Sequence, residues 1–206
     1  ADLEAFDLPG DPATLAQRRQ VLADMHAGAR EPLRSAAADS LASVDVLAQI
    51  DFAGYQPAGG AVYPSQGLGR RLRQAAALIR ADQGVEVVFV DMGGWDTHNA
   101  QGPLDGRMAG LVGELERSLE AFYVDLLDRM DSITVGVMSE FGRRVAENGS
   151  LGTDHGHGGC LLLLGGHVLG GQVHAQWPGL APANLDAGDL AVSTDYRAVL
   201  GEVLAK

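Results

Sequence analysis

The chain has 206 residues, 46% of them hydrophobic, which suffices for one ordinary domain with a real core. Fifteen Lys plus Arg against 27 Asp plus Glu leave a net charge of -12, which repels phosphate backbones and anionic lipid surfaces and argues against nucleic-acid and membrane-surface roles. Cys160 is the single cysteine, so an intrachain disulfide and a Cys-rich zinc knuckle are excluded, and any metal must be held by His, Asp and Glu.

Residues 1–30 carry polar and acidic groups throughout instead of a signal-peptide core, and the Arg18-Arg19 pair has no apolar run behind it. Leu15, Val21, Leu22 and Met25, then Leu33, Ala37, Leu41, Val44 and Leu47, recur at helical spacing and predict amphipathic helices over 11–27 and 31–49. Tyr55, Pro57, Gly59, Gly60, Tyr63 and Pro64 mark a loop over 51–66, after which Leu68, Leu72, Ala75, Ala76 and Ile79 predict a helix over 67–82. The period then changes. Val85, Val87, Val88, Phe89 and Val90 form a β-branched run, apolar on both faces, as expected of a strand covered on both sides.

Leu104, Met108, Leu111, Leu115, Leu119, Phe122 and Leu126 mark a long amphipathic helix, and Ile133 to Met138 reads as a second buried strand. Strand, helix, strand normally makes parallel neighbours with a right-handed crossover. The expected class is therefore α/β with a mostly parallel sheet, and the loops after the two strands would share one crevice beyond their carboxyl ends. Cys160 to Leu164 supplies a third strand, and Ser193 or Thr194 caps a final helix running to Leu204. Neither an internal repeat nor a low-complexity linker is visible, and the longest apolar stretch, CLLLLGG, is far short of a membrane span.

Chemistry concentrates in two polar clusters that follow the strand-like runs. In VVFVDMGGWDTH the strand delivers Asp91 to its end, Gly93 and Gly94 permit a tight turn, and Asp96 and His98 project from the same loop. Two carboxylates and one imidazole form a mixed oxygen and nitrogen donor set of the kind that Zn²⁺ or Mn²⁺ accepts. The plainer alternative is a loop in which Asp96 caps the following helix and His98 faces solvent. In GTDHGHGG, Asp154, His155 and His157 stand together without a bulky neighbour, and alternate residues of an extended segment point the same way. Both imidazoles can then face one ion, or one binds it while the other meets a substrate; a plain His-containing loop is the alternative.

SEFGRR places Glu140 at a strand end as ligand or general base, with Arg143 and Arg144 supplying the positive charge that an anionic substrate would need in so acidic a chain. Ser139 is not a nucleophile elbow, because GVMSEFG lacks the flanking glycines, and no run matches a phosphate-binding or dinucleotide-binding glycine loop. His26, His167 and His174 lie apart from both clusters and read as ordinary loop or surface residues.

YPSQGLGRRL, GGWDTHNAQ, SEFGRRVAENGSLGTDHGHGG, LGGHVLGGQV, WPGL and TDYRAVL occur in one order over residues 63–204. This succession resembles the DUF1501 family, grouped with the alkaline phosphatase and sulfatase superfamily. The resemblance implies a three-layer α/β/α sandwich with a mostly parallel sheet, in which divalent ions at strand ends flank a nucleophile that takes phosphate or sulfate. It implies that Asp96 and His98 belong to one metal site, that His155 or His157 is the later histidine ligand, and that Glu140 stands in the place of an Asp-His pair. Phe141 occupies the second position of that pair, and residues 1–84 show no strand ending in a nucleophilic Ser, Thr or Cys.

The chain accordingly resembles the carboxy-terminal portion of a longer DUF1501-type domain, helical over 1–82 and carrying the metal-site α/β core over 83–206. The implied activity is metal-dependent hydrolysis of small phosphate or sulfate esters, with Asp91, Asp96, His98, Asp154, His155 and His157 as ligand candidates and Glu140 and Arg143 as catalytic ones. A non-catalytic binding member, or an inactive fragment of the same fold, is the alternative. Relatives often carry twin-arginine leaders, so the resemblance also implies export.

Overall fold

A computed structural model describes Leu3 and residues 10–205. The amino-terminal stretch expected to lack a signal-peptide core therefore lies partly outside the described residues. Helix α1 (Leu15–Ala27) follows a single 3-10 turn, at whose start the Asp11 carboxylate accepts the Ala13 N–H at 2.9 Å. Asp caps in this way because its short side chain reaches an otherwise unpaired helix donor. Helix α2 (Leu33–Leu47) packs on α1, with the Arg19 guanidinium held by Asp45. Neither helix buries a residue.

The core sits between α3 (Gly67–Arg80) and α4 (Arg107–Asp125). Leu68, Leu72, Ala75 and Ala76 fall on one stripe of α3 at helical spacing, and they meet Phe122, Leu126 and Met130. Alanines at the contact let the two backbones approach while the larger side chains fill the flanks. Gly67 opens α3 at a φ of 58°, and the Glu114 carboxylate of α4 accepts the Leu68 N–H at 2.8 Å. The start of α3 is thus capped from the neighbouring helix.

One charged group lies inside this contact. Asp125 is wholly buried, and its carboxylate accepts the Tyr55 hydroxyl at 2.8 and 2.9 Å, the Tyr63 hydroxyl at 2.8 Å and the Ala58 N–H at 2.7 Å. The loop before α3 is anchored there, because a buried carboxylate is tolerated only when its lone pairs are filled. Burial first, and the neighbouring carboxylate second, push the Tyr55 hydroxyl up to about 12 and raise that of Tyr63 further.

Beyond α4 and a 3-10 turn (Met130–Ser132), strand β1 (Thr134–Val137) pairs antiparallel with β4 (Leu162–Gly165), Thr134 opposite Gly165 and Val137 opposite Leu162. Between them, β2 (Gly142–Arg143) pairs antiparallel with β3 (His155–Gly156), Arg143 opposite His155. Helix α5 (Tyr196–Leu204) is capped by Asp195, which accepts the Arg197 N–H at 2.9 Å, one residue beyond the expected Thr194. No helix among the described residues is long and apolar enough to cross a membrane.

This architecture corrects the expected fold class. The described residues hold five helices and two small two-stranded antiparallel sheets, not a mostly parallel three-layer α/β/α sandwich of alkaline-phosphatase type. Residues 85–91 form no ladder, and Val87 and Phe89 are 59% and 94% exposed, while Val90 and Met92 touch the core. An apolar run without alternation specifies burial but no partner strand or register. The expected crossover helix forms as α4 but has no strand before it to join to β1, and β4 comes back antiparallel beside β1 after residues 138–161, which hold β2, β3 and loops.

Candidate metal centre

Two loops make the site, and main-chain hydrogen bonds lay one on the other. Ala100 N donates to Ser150 O at 3.0 Å, Gln101 N to Leu151 O at 2.9 Å and Thr153 N to Thr97 O at 3.4 Å. Gln101 adds a side-chain link: its Oε1 accepts the hydroxyls of Thr97 at 2.9 Å and Thr153 at 2.8 Å. Gly152 is required at this crossing, since a Cβ there would lie 2.3 Å from the His98 carbonyl and 2.4 Å from that of Thr97. Gly142 meets the same demand in β2, where a Cβ would stand 2.0 Å from Gly158 O.

The crossing brings Asp96, His98 and His155 together, with one ligand atom of each within 4.8 Å of the others. Asp96 Oδ1 is the meeting point, 2.7 Å from His155 Nε2 and 3.0 Å from His98 Nε2. Arg143 reaches the same oxygen at 3.4 Å. A hydrogen bond from His155, ahead of the charges of His98 and Arg143, holds the Asp96 carboxyl below the usual carboxylate range. Phe141 stacks on the His155 ring at 4.2 Å between centroids and 13° between planes, which fixes the imidazole's tilt.

Around the triad, Asp154 Oδ1 accepts His98 Nδ1 and Asn148 Nδ2, each at 2.9 Å. Those two bonds, that of Asn148 foremost, lower its pKa. Arg143 donates to the carbonyls of Trp95 and Thr153, both at 2.5 Å, and its guanidinium lies 4.8 Å over Phe141. Most of its donors are therefore committed to holding the two loops.

The donor set fits a divalent cation: one carboxylate oxygen and two imidazole nitrogens form a mixed set of the type that Zn²⁺ or Mn²⁺ takes. Tetrahedral ligands at zinc distances stand about 3.4 Å apart, so the widest pair needs to close by up to about 1.4 Å while the 2.7 and 3.0 Å contacts to Asp96 open by less than about 1 Å. All three side chains are open to solvent, at 58%, 38% and 49% for Asp96, His98 and His155. Open positions for solvent or substrate accompany this exposure.

The other sequence candidates lie elsewhere. His157 leaves the triad and sits between two carboxylates, Nδ1 2.9 Å from Asp189 and Nε2 3.2 Å from Asp186. Arg144 stands on the far side of Asp189, with Nε at 3.6 Å. Asp91 is exposed and meets Arg71 through its carbonyl, at 2.6 Å, not through its carboxylate. Glu140 is exposed at the bend between β1 and β2 and belongs to neither cluster. His26 accepts or donates within its own helix, Nδ1 2.8 Å from Leu22 O.

Asn148, Gln101, Asp186 and Asp189 were not foreseen from the sequence. Asn148 had a weak signal as the residue before Gly149 in a turn-forming NGS run. The two aspartates, about thirty residues beyond His157 and outside any motif, had none.

A family model described as "Protein of unknown function (DUF1501)" matches residues 19–197. No curated protein and no solved structure matches the chain.

Proposed function

The chain belongs to the DUF1501 family, and from the site its motifs build we propose a metal-dependent hydrolase module of phosphatase or sulfatase type, acting on small phosphate or sulfate esters. The observation that carries this reading is the convergence of Asp96, His98 and His155 from separate loops onto one solvent-open point. Acidic residues alone often cluster at surfaces, but two imidazoles turned onto one carboxylate oxygen are a donor set suited to an ion. The likeness of the motifs to those of the alkaline phosphatase and sulfatase superfamily supplies the reaction class.

Asp96, His98 and His155 would hold the ion, which supplies Lewis-acid polarisation of a phosphoryl or sulfuryl oxygen. Within the chain, Phe141 sets the plane of His155, and Arg143 fixes the relative position of the loops that carry Asp96 and His155. Arg143 thus supports the site and adds positive charge beside Asp96, in a chain whose net charge is otherwise unfavourable to anions. Glu140, exposed just before β2, is the base candidate nearest in sequence to Phe141 and Arg143.

A second reading, an ion-binding module without catalysis, draws on the same triad and on the commitment of Arg143 to carbonyls. Metal analysis of purified protein, followed by turnover of phosphate and sulfate monoesters with Zn²⁺ or Mn²⁺, separates the two. The hydrolase reading expects about one equivalent of ion and turnover that Asp96→Ala and His155→Ala each reduce at least a hundredfold. One equivalent of ion with no turnover of any ester supports the second reading, and less than a tenth of an equivalent after metal addition refutes both.

A further inference from the structure

We infer that Asp154 and Asn148 are positioning residues that orient His98 toward the ion, and that Asp154 is not itself a ligand. The inference rests on the metal-binding part of the proposed function and assigns roles inside that site. His98 Nε2 faces Asp96 Oδ1 at 3.0 Å, while Nδ1, on the other edge of the ring, meets Asp154 Oδ1 at 2.9 Å. Both ring nitrogens thus face a carboxylate, and the ring is held from two edges. An ion seated between His98 and Asp96 would displace the Nε2 contact and leave the Nδ1–H bond to Asp154 in place, which fixes the ring's rotation and makes Nε2 the donor atom.

Asp154 is held for this task rather than free to turn toward the ion. The oxygen that meets His98 also accepts Asn148 Nδ2 at 2.9 Å. The second amide hydrogen of Asn148 goes to the carbonyl of His98 itself at 3.0 Å, and its Oδ1 accepts Ser150 N at 2.9 Å and Gly152 N at 3.1 Å. One amide side chain therefore binds the His98 backbone, the carboxylate that orients the His98 ring and the loop that carries that carboxylate. Every hydrogen-bonding position of the amide is used, which leaves it a single orientation.

The geometry also separates ligand from support. Asp96 approaches the Nε2 edge of His98, and the oxygen it presents there also meets His155 Nε2 at 2.7 Å. Asp154 approaches the opposite edge, and an oxygen in line with Nδ1 cannot reach an ion in line with Nε2 of the same ring. The adjacent residues Asp154 and His155 thus serve different roles, one behind a ligand and the other as a ligand.

Full-length chains carrying Asp154→Asn, Asp154→Ala, Asn148→Ala and Asp96→Ala test this by Zn²⁺ competition against a chromogenic chelator and by the visible absorption of bound Co²⁺. Far-UV circular dichroism confirms that each variant is folded. Asp96→Ala should abolish stoichiometric binding. Asp154→Asn, which keeps an acceptor but not the charge, should weaken Zn²⁺ about tenfold, and Asp154→Ala and Asn148→Ala by up to about a hundredfold. In all three the Co²⁺ band positions and intensity at saturation should match wild type, because the ligands are unchanged.

Equal Zn²⁺ affinity in wild type and Asp154→Ala overturns the positioning role. An altered Co²⁺ spectrum in Asp154→Ala overturns the separation of ligand from support and makes Asp154 a ligand. Absence of binding by wild type is a different result, since it removes the metal reading on which both proposals stand.

Discussion

Replacing Asp125 by alanine removes the acceptor for three donors: the hydroxyls of Tyr55 and Tyr63 and the N–H of Ala58. The side chain is wholly buried, so water does not replace it without opening the α3–α4 contact. An orphaned buried donor costs about 1–3 kcal/mol, and the two tyrosines are partly buried while Ala58 is exposed, so about 1 kcal/mol for each of the three bonds gives roughly 3 kcal/mol. Arg80 loses its carboxylate neighbour at 3.7 Å but keeps Asp128 at 2.8 Å, so it adds little. A domain of this size has about 5–15 kcal/mol in all, so Asp125→Ala should lose about a fifth or more of its stability and unfold at clearly lower urea. Tyr63→Phe, which deletes one bond and strands no donor, should cost only about 1 kcal/mol. Urea unfolding followed by far-UV circular dichroism measures both. A loss below about 1 kcal/mol in Asp125→Ala would refute the view that this carboxylate anchors the 51–66 loop.

Three further expectations follow from the same geometry. Tyr55 is raised to about 12 from 10.0 by burial and by Asp125, so the folded state keeps a proton that the unfolded state releases. The stability this supplies is complete below about pH 10 and falls as pH rises through about 12, so the melting temperature should drop over that window and drop less in Tyr55→Phe; parallel curves would contradict the assignment. Gly152→Ala should lift the 148–154 loop from His98, costing about 1–3 kcal/mol and weakening Zn²⁺ binding together, and a variant with wild-type affinity would show that the crossing does not shape the site. His157→Ala should leave Zn²⁺ affinity within twofold of wild type and cost at most about 1 kcal/mol, because its partners are Asp186 and Asp189 rather than the triad. A loss of ion binding like that of His155→Ala would return His157 to the ligand set.

Helices α3 and α4 were legible in the chain because burial repeats every three or four residues along them. Leu68, Leu72, Ala75 and Ala76 announce the inner face of α3 before any partner is known. The run from Val85 to Val90 carried no comparable information, since an apolar segment states that it avoids water without saying which strand it joins. The two histidines of GTDHGHGG show the same limit. Alternate side chains share a face only inside a strand, and β3 ends at Gly156. His155 is within it and turns to Asp96; His157 follows it and turns to Asp186 and Asp189.

The sequence by itself determined which residue types could bind an ion: Asp91, Asp96, His98, Asp154, His155 and His157 stand out chemically in an acidic chain with one cysteine, and glycines mark where backbones must pass close. It also determined the amphipathic helices α3 and α4, whose period is a local property. Only the tertiary structure decided that the sheets are antiparallel, that His155 and not His157 completes the triad, and that Asn148 and Asp154 stand behind His98. Strand pairing and hydrogen bonds between loops depend on where distant segments meet, and residue periodicity encodes burial without encoding the partner.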